Sequence, residues 1–163
     1  MQEKILGIDI GATSVKFAEL EPGGGLSGRG AERVHSESNE ALIEQLAAIV
    51  ARPEFAGAKA VGIGSPGPLN LESGTIIASA NMPAIRECHV INALSDLFPH
   101  HRFRLDNDAN AATLGEKSFG AGKGLGDFAV FTLGTGVGGG CIFGGKLQRG
   151  IDGNFFEVGQ IFL

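Results

Sequence analysis

An apolar strand that is interrupted by one acid and a small-residue turn constrains this chain most. The stretch ILGIDIGATSVKF, residues 5–17, predicts two strands, residues 4–10 and 14–20, joined by a tight turn at residues 11–13. The chain therefore opens with a β-hairpin. Asp9 is placed just before the turn, and a carboxylate at the end of an apolar strand needs a chemical explanation.

The first turn has the chemistry of a phosphate site. Gly11, Ala12 and Thr13 offer backbone N–H groups and one hydroxyl to phosphate oxygens, and the carboxylate of Asp9 is suited to hold Mg²⁺ through water. Lys16 follows on the second strand and could reach a phosphate, although a lysine on a strand is more often a solvated side chain. The alternative is an ordinary hairpin in which the Asp caps its own turn, and this hairpin alone leaves both interpretations open.

A second glycine turn supports the phosphate interpretation. Residues 128–133 and 140–143 predict another strand-turn-strand, with GTGVGGG as the turn and bare amides at Gly134, Thr135 and Gly136. The two hairpins form a weak internal repeat, because each has an apolar strand that enters a glycine turn through a polar residue. Two such turns would grip the phosphates of a nucleotide.

Other phosphate-binding motifs fit poorly. GAGKG, residues 120–124, lacks the Ser or Thr that a P-loop needs after its Lys, and Lys117 stands where the leading glycine belongs. GTGVGG, residues 134–139, satisfies G-x-G-x-x-G but leads into a strand and not into a helix, which disfavours a Rossmann site.

The rest of the chain alternates strands and helices, as an α/β layer does. Beyond the first hairpin we expect a loose connection at 21–30, a strand near 32–35, a helix at 39–51, strands at 59–63 and 74–78, a helix at 90–98, a strand at 103–106 and an alanine-rich helix at 108–117. The glycine-broken stretch at 119–126 predicts a boundary between a domain at 1–118 and an incomplete one at 119–163.

The composition limits the classes of partner that we expect this protein to bind. The 163 residues carry a net charge of −5, which argues against a nucleic-acid or anionic-membrane surface and favours small molecules. No apolar stretch is long enough to span a bilayer and none resembles a signal peptide, so we expect a cytoplasmic protein. Cys88 and Cys141 lack metal-ligand spacing and are expected to stay reduced.

The segment RLDNDANAATLGE, residues 104–116, holds the candidate base. A carboxylate where a strand passes into a helix can accept the proton of a hydroxyl that attacks a phosphoryl group, and Asp108 is our candidate. The alternative for Asp108 is a helix N-cap, and from this segment alone the cap is favoured about two to one. Asp106, Asn107 and Asn110 add groups of the kind that hydrogen-bond a sugar.

Taken together, these motifs resemble a known family. GIDIGATSVK, GIGSPGPLN, NMP, LDNDANAATLGE and FTLGTGVGGGCIFGGKL, in that order and at those spacings, are similar to the N-terminal half of ROK-family sugar kinases, which include bacterial glucokinases. The resemblance covers essentially the whole chain. It implies an α/β fold of the actin-like, hexokinase-type (ribonuclease H-like) class, here an N-terminal lobe with the start of a second.

The resemblance also implies roles for residues. The two turns, Asp9 to Thr13 and Gly134 to Gly138, would bind the phosphates of ATP with Mg²⁺, and Asp108 would be the catalytic base. The expected sugar contacts are Gly64, Asn81, Asn107, Asp108, Glu157 and Gln160. Gln160 stands where most members have a His that also ligates a structural zinc; Gln is a poor zinc ligand, so we expect no such zinc here.

The implied activity is transfer of a phosphoryl group from ATP to a hexose hydroxyl, most simply at C6. We expect the intact parent protein to be the enzyme and these 163 residues alone to turn over slowly or not at all, because phosphoryl transfer needs a site closed between lobes. The strands at 128–143 should expose apolar surface that the missing part of the second lobe would cover, so we expect self-association, as a homodimer or by domain swapping.

Two alternatives belong to other classes. ROK-type repressors carry a helix-turn-helix ahead of the first hairpin, whereas this chain enters Ile5 directly. A non-catalytic sugar-binding relative would not need Asp9, Asp108 and Glu157 together. The sequence does not identify the sugar.

Overall fold

The computed structural model describes residues 4–134, 136–151 and 155–160. The chain divides into two compact units, one that ends at Asp106 and one that begins at Asn107. We expected a boundary at 118/119, which is one helix later in the chain than this division. The division is earlier because the third helix packs on the strands that follow it and therefore groups with them.

The described residues of the first unit form eight strands, two helices and one 3₁₀ turn. In chain order they are β1 (Ile5–Ile10), β2 (Ser14–Leu20), β3 (Leu26–Arg33), α1 (Asn39–Val50), a 3₁₀ turn (Pro53–Phe55), β4 (Ala60–Ser65), β5 (Leu69–Asn70), β6 (Thr75–Ala78), β7 (Arg86–Cys88), α2 (Val90–Leu97) and β8 (Arg102–Asn107), whose last residue belongs to the second unit.

The main sheet has the strand order β3-β2-β1-β4-β8, with β1 antiparallel to β2 and parallel to β4. Alternate residues of β1 are buried, as the period of two requires of a strand with one face in the core. Asp9 is level with Gly64 on β4, and Ser14 on β2 is level with Arg33 on β3. The first turn and the ends of β3 and β4 therefore share one edge of the sheet.

The third strand differs from our expectation of a loose connection at 21–30 and a strand at 32–35. It spans Leu26–Arg33 and pairs with β2, with a bulge between Phe17 and Glu19. Aromatic rings lie against this strand and leave no room for side chains at two of its glycines. A Cβ at Gly30 would overlap the Phe17 ring, and a Cβ at Gly28, which has φ +56°, would overlap the Phe55 ring.

A second sheet, with the order β5-β6-β7, lies between β4 and α2 in the chain, and we expected only its middle strand. The strands of this sheet are short, and buried side chains hold them in place. These side chains are Ile76, Met82, Ile85 and Cys88. The hydrophobic core cluster of the described residues runs from Leu6 to Leu105, within the first unit. No helix in the described part of the chain is long and apolar enough to cross a membrane.

The second unit is one helix on a small sheet. It contains α3 (Asp108–Phe119), β9 (Phe128–Leu133), β10 (Val137–Phe143), β11 (Lys146–Leu147) and a 3₁₀ turn (Val158–Gln160), with strand order β11-β10-β9. The second strand starts at Val137, earlier than the expected residue 140, because the glycines pair along β9. A Cβ at Gly138 would approach Ala109 and one at Gly140 would overlap Thr113, so these glycines let α3 lie close to the sheet.

Candidate active site

Three of the predicted site residues are paired across neighbouring strands beside the first turn. Asp9, on the exposed side of β1, pairs with Lys16 on β2 and with Gly64 on β4. Asp9 and Lys16 are exposed and Gly64 is buried, so the carboxylate and the ammonium side chain share the solvent face of the sheet. This places one anion and one cation beside the turn.

The turn itself is closed by a backbone hydrogen bond. The Gly11 amide donates to the Ser14 carbonyl at 2.9 Å, and a Cβ at Gly11 would stand only 3.0 Å from that oxygen, so a side chain would crowd the turn. Ala12 is half-buried and Thr13 exposed. The Thr13 carbonyl accepts from the Val34 amide at 3.2 Å, which fixes the turn to the end of β3. We did not predict this hydrogen bond, because our expected third strand, near residues 32–35, differs from the observed β3.

Two predicted sugar-binding loops are also in the first unit. Gly64 and Ser65 end β4 and are buried, ahead of a cis Gly67–Pro68 peptide. Asn81 is exposed on a turn in which the amide of buried Met82 donates to the Ser79 carbonyl at 3.2 Å. The buried methionine thus anchors a turn whose neighbouring amide side chain faces solvent.

The second glycine turn lies at the end of β9. The Gly134 amide donates to the Gly136 carbonyl at 2.9 Å, and both glycines are exposed. Thr135 lies outside the described residues. The turn is therefore shorter than GTGVGGG suggests, since Val137 and the following glycines already belong to β10.

Asn107, and not Asp108, is the cap of α3. The Asn107 side chain accepts hydrogen bonds from the amides of Ala109 at 2.9 Å and Asn110 at 3.1 Å, with extended backbone at the cap. Asp108 is the first helical residue and is exposed; its Oδ1 also accepts from the Ala109 amide at 2.8 Å. The alternative role that we weighed for Asp108 is thus filled by its neighbour.

The charge of Asp108 acts on the Glu157 carboxyl within the second unit. Burial, and secondly the negative charge of Asp108, raise the pKa of the Glu157 carboxyl, although that side chain keeps contact with solvent. Gln160 ends the 3₁₀ turn that follows Glu157, and its side chain lies outside the described residues. Carboxyl groups with a raised pKa are enriched at functional sites, where they transfer protons.

Metal ligation has little support from clusters of side chains. Within residues 4–134, 136–151 and 155–160, no three His, Cys, Asp or Glu residues come together as a metal site. Cys88 is buried, and burial raises the pKa of its thiol to about 11, so it stays protonated.

These strands, turns and carboxylates define a protein of the actin-like, hexokinase-type α/β class. The chain belongs to the ROK family, whose model matches residues 5–163. Glucokinase from Thermotoga maritima is 36% identical over 160 residues, covering 97% of this chain and 50% of the relative.

Solved structures agree with this fold. A ROK family glucokinase from Streptomyces griseus, in complex with glucose and AMPPNP, has a TM-score of 0.87 at 32% identity and covers 97% of this chain and 50% of that one. The ROK hexokinase from Thermus thermophilus has a TM-score of 0.85 at 32% identity, covering 98% and 53%. The expected fold class and family are confirmed, and the chain spans about half the length of the relatives that it matches.

Proposed function

We propose that this chain forms the sugar-binding and phosphate-binding half of an ATP-dependent hexose kinase. The observation that carries the proposal is the pair Asp108 and Glu157: the first is exposed at the start of α3, and its charge helps to raise the pKa of the second. Family membership and similarity to glucokinases support the same reaction.

Asp108 would act as the general base. Because Asn107 already caps the helix, capping does not require the Asp108 side chain, and an exposed carboxylate can accept the proton of the attacking sugar hydroxyl. The bond formed is between that hydroxyl oxygen and the terminal phosphorus of ATP, the bond broken is the bridge to ADP, and the proton passes to Asp108.

Proposed sugar contacts come from each unit. Glu157 and Gln160 follow β10 and β11 in the second unit, whereas Gly64 and Asn81 belong to loops of the first. Since the Asn107 oxygen accepts two amide bonds, a sugar contact by Asn107 would use its amide nitrogen as donor.

The phosphates would be bound at the two glycine turns. Ala12 and Thr13, with Thr135 and Gly136, are the proposed amide donors, because the Gly11 and Gly134 amides already donate within their own turns, and Lys16 adds a positive charge. Asp9 fits a magnesium ion bound through water, because its carboxylate is exposed beside the turn and Mg²⁺ prefers oxygen ligands. Such an ion would neutralise charge on the phosphates; no other proposed role depends on it.

The partners follow from the same proposal. We infer that they are a hexose and ATP and that the protein acts in the cytoplasm. The net charge of −5 supports small-molecule partners over nucleic acid or an anionic membrane. A homodimer is supported by the exposed apolar side chains of β9 and β10, such as Leu133 and Phe143.

The test is ADP release by the complete protein with a panel of hexoses. We expect Asp108→Asn to lower kcat by about 10²- to 10⁴-fold with little change in the KM for ATP. Asp96→Asn is the matched control, because Asp96 is exposed on α2 and has no part in the proposed site. Normal turnover by Asp108→Asn would refute the base, and sugar binding without turnover by the unchanged protein would favour a binding relative or a repressor.

A further inference from the structure

The backbone is strained immediately before Glu157. Phe156 is one of two described residues other than glycine with a positive φ, which is +69° at this position. A bulky side chain disfavours this left-handed conformation, and conformations of this kind persist only where their surroundings impose them. Such residues cluster at functional sites, and the residue that follows Phe156 is a proposed sugar contact.

A glycine of the small sheet makes room for the Phe156 side chain. A Cβ at buried Gly139 on β10 would stand 2.8 Å from Phe156 Cδ1 and equally close to Val158 Cγ2, nearer than Cβ atoms come in proteins. Glycine within a strand is typical of a place that another part of the chain approaches closely. Glu157 lies between Phe156 and Val158, so both of its chain neighbours rest on the same glycine.

An aromatic ring opposite the glycine completes this arrangement. Phe131 on β9 pairs with Gly139, and directly paired residues of two strands share one face of the sheet. The centroids of the Phe131 and Phe156 rings are 5.8 Å apart, within the range of favourable aromatic pairs. The Phe155 ring lies on the Phe156 ring at 6.0 Å. We call Phe131, Gly139 and Phe156 the aromatic seat.

Backbone contacts hold the same segment beyond Phe156. The Val158 amide donates to the Phe156 carbonyl at 2.8 Å, which bends the chain tightly around Glu157. Gly159 lies so close to the Val137 carbonyl that a Cβ there would overlap it. The chain on each side of Glu157 is therefore fixed to the sheet, by side chains before it and by a side chain and backbone after it.

We propose that Phe156 is a positioning residue, and that the aromatic seat holds Glu157 where it contacts the sugar. The inference rests on the proposed function, which assigns that contact to Glu157. Packing of the Phe156 ring offsets the strain of its left-handed backbone, so the conformation lasts only while the ring stays in the seat. Phe156 has no contact with sugar or ATP in this proposal and acts through Glu157.

The first measurement removes the Phe131 ring and leaves residues 155–160 unchanged. Phe131→Ala is compared with Phe143→Ala, because both phenylalanines are exposed on the sheet and, in the described part of the chain, only Phe131 forms a ring contact with Phe156. In the complete protein we expect Phe131→Ala to raise the hexose KM about tenfold and to leave the KM for ATP unchanged. Phe143→Ala should change neither, and Phe131→Tyr, which keeps the ring, should restore the hexose KM.

The second measurement separates positioning from stability. Carboxyl ¹³C titration by NMR should show a lower pKa of Glu157, closer to its ordinary value, in Phe131→Ala and in Phe156→Gly, because a loosened segment exposes the carboxyl to water. Glycine adopts a positive φ without strain, so Phe156→Gly removes the ring and leaves the backbone conformation accessible. A ring that merely stabilised the sheet would leave this pKa unchanged in the folded molecules.

The outcomes distinguish this inference from the proposed function. An unchanged Glu157 pKa in both variants, or equal effects of Phe131→Ala and Phe143→Ala on the hexose KM, would overturn the positioning role and leave the proposed kinase activity intact. If the unchanged complete protein neither binds nor phosphorylates a hexose, the proposed function is refuted and this inference with it. Should Phe131→Ala fail to fold, Phe156→Gly decides by the same two measurements.

Discussion

The unit that ends at Asp106 contains the hydrophobic core cluster, whereas the unit that begins at Asn107 has among its described apolar residues only Ala109 and Ile142 buried. The second unit also has an apolar face, defined here as Phe131, Leu133, Val137 and Phe143, which are 60%, 82%, 48% and 68% exposed. Leu133 pairs with Val137 in the register, so they share one side of the sheet. The first unit is stabilised by its own interior, and the second by close contact of a helix with glycines.

The largest effect should come from the interior of the first unit. Leu46 is fully buried on α1, and Leu46→Ala is expected to lower the free energy of unfolding by about 2–5 kcal/mol, because it removes apolar contacts and leaves a cavity. Leu133→Ala, on the exposed face, should change it by less than about 0.5 kcal/mol. Urea denaturation measures both, and equal losses would contradict the comparison.

A smaller loss should follow from crowding the helix in the second unit. A Cβ at Gly140 would overlap the Thr113 hydroxyl and approach the Ala109 carbonyl, so Gly140→Ala is expected to cost about 1–3 kcal/mol. Gly126→Ala is the control, because open space surrounds that position and its effect should be neutral or slightly stabilising. Hydrogen exchange of the α3 amides localises the change, and unchanged α3 protection in Gly140→Ala would contradict this packing role.

The glycines also show which parts of the fold can be predicted from the sequence and which cannot. The first hairpin is predictable because its strands alternate and its turn is short. The course of β3 is not, since Gly28 and Gly30 have the composition of a loop, and only the rings of Phe55 and Phe17 explain them. The small β5-β6-β7 sheet is equally hidden, because two-residue and three-residue strands have no readable period.

The sequence identifies candidate site residues but not the role of each. Asn107 and Asp108 are both good caps, so the sequence cannot choose between them, whereas the extended backbone at Asn107 does. The hydrogen bond from the Val34 amide to the first turn escapes prediction because it depends on the register of β3. Local pattern identifies motifs, and long-range pairing decides what surrounds them.

The apolar face should act on association more than on folding. We expect Leu133→Lys to weaken concentration-dependent self-association of the 163-residue chain about tenfold or more, because a charge on the face opposes burial there. The matched control is Leu97→Lys, since Leu97 is 59% exposed on α2 of the first unit. Sedimentation velocity measures both, and equal effects of the two substitutions would remove the distinction between the units.

Acidification should weaken the first unit through His101. Its ring lies beside Phe98 and Phe103, and its buried Nδ1 has no hydrogen-bond partner among the described groups. Burial, then the charges of Lys59 and His100, lower the pKa of His101. The neutral ring is favoured in the folded state, so stability is fully present above the unfolded pKa of about 6.5 and is lost as pH falls through the lower folded pKa.

Urea midpoints between about pH 7.5 and pH 5 test this, because they follow the pKa window of the histidine. His101→Gln should flatten the profile over that range. His35→Gln, at an exposed histidine between β3 and α1, is the control. A slope that persists in His101→Gln would assign it to another group.

The smallest effect should lie in the second unit and have the opposite sign. The pKa of Glu157 is raised by burial first and by Asp108 second, so its contribution to stability is present below the unfolded pKa and is lost as pH rises through the folded one. Because burial is the larger cause, Asp108→Asn should lower the pKa only part of the way to its ordinary value. Carboxyl ¹³C titration by NMR measures this, with Asp127→Asn as control, since the amide oxygen can still accept from the Gly144 amide. If the pKa of Glu157 is identical in Asp108→Asn and in the unchanged chain, the charge of Asp108 does not act on Glu157. That result would contradict the pair on which the proposed base depends.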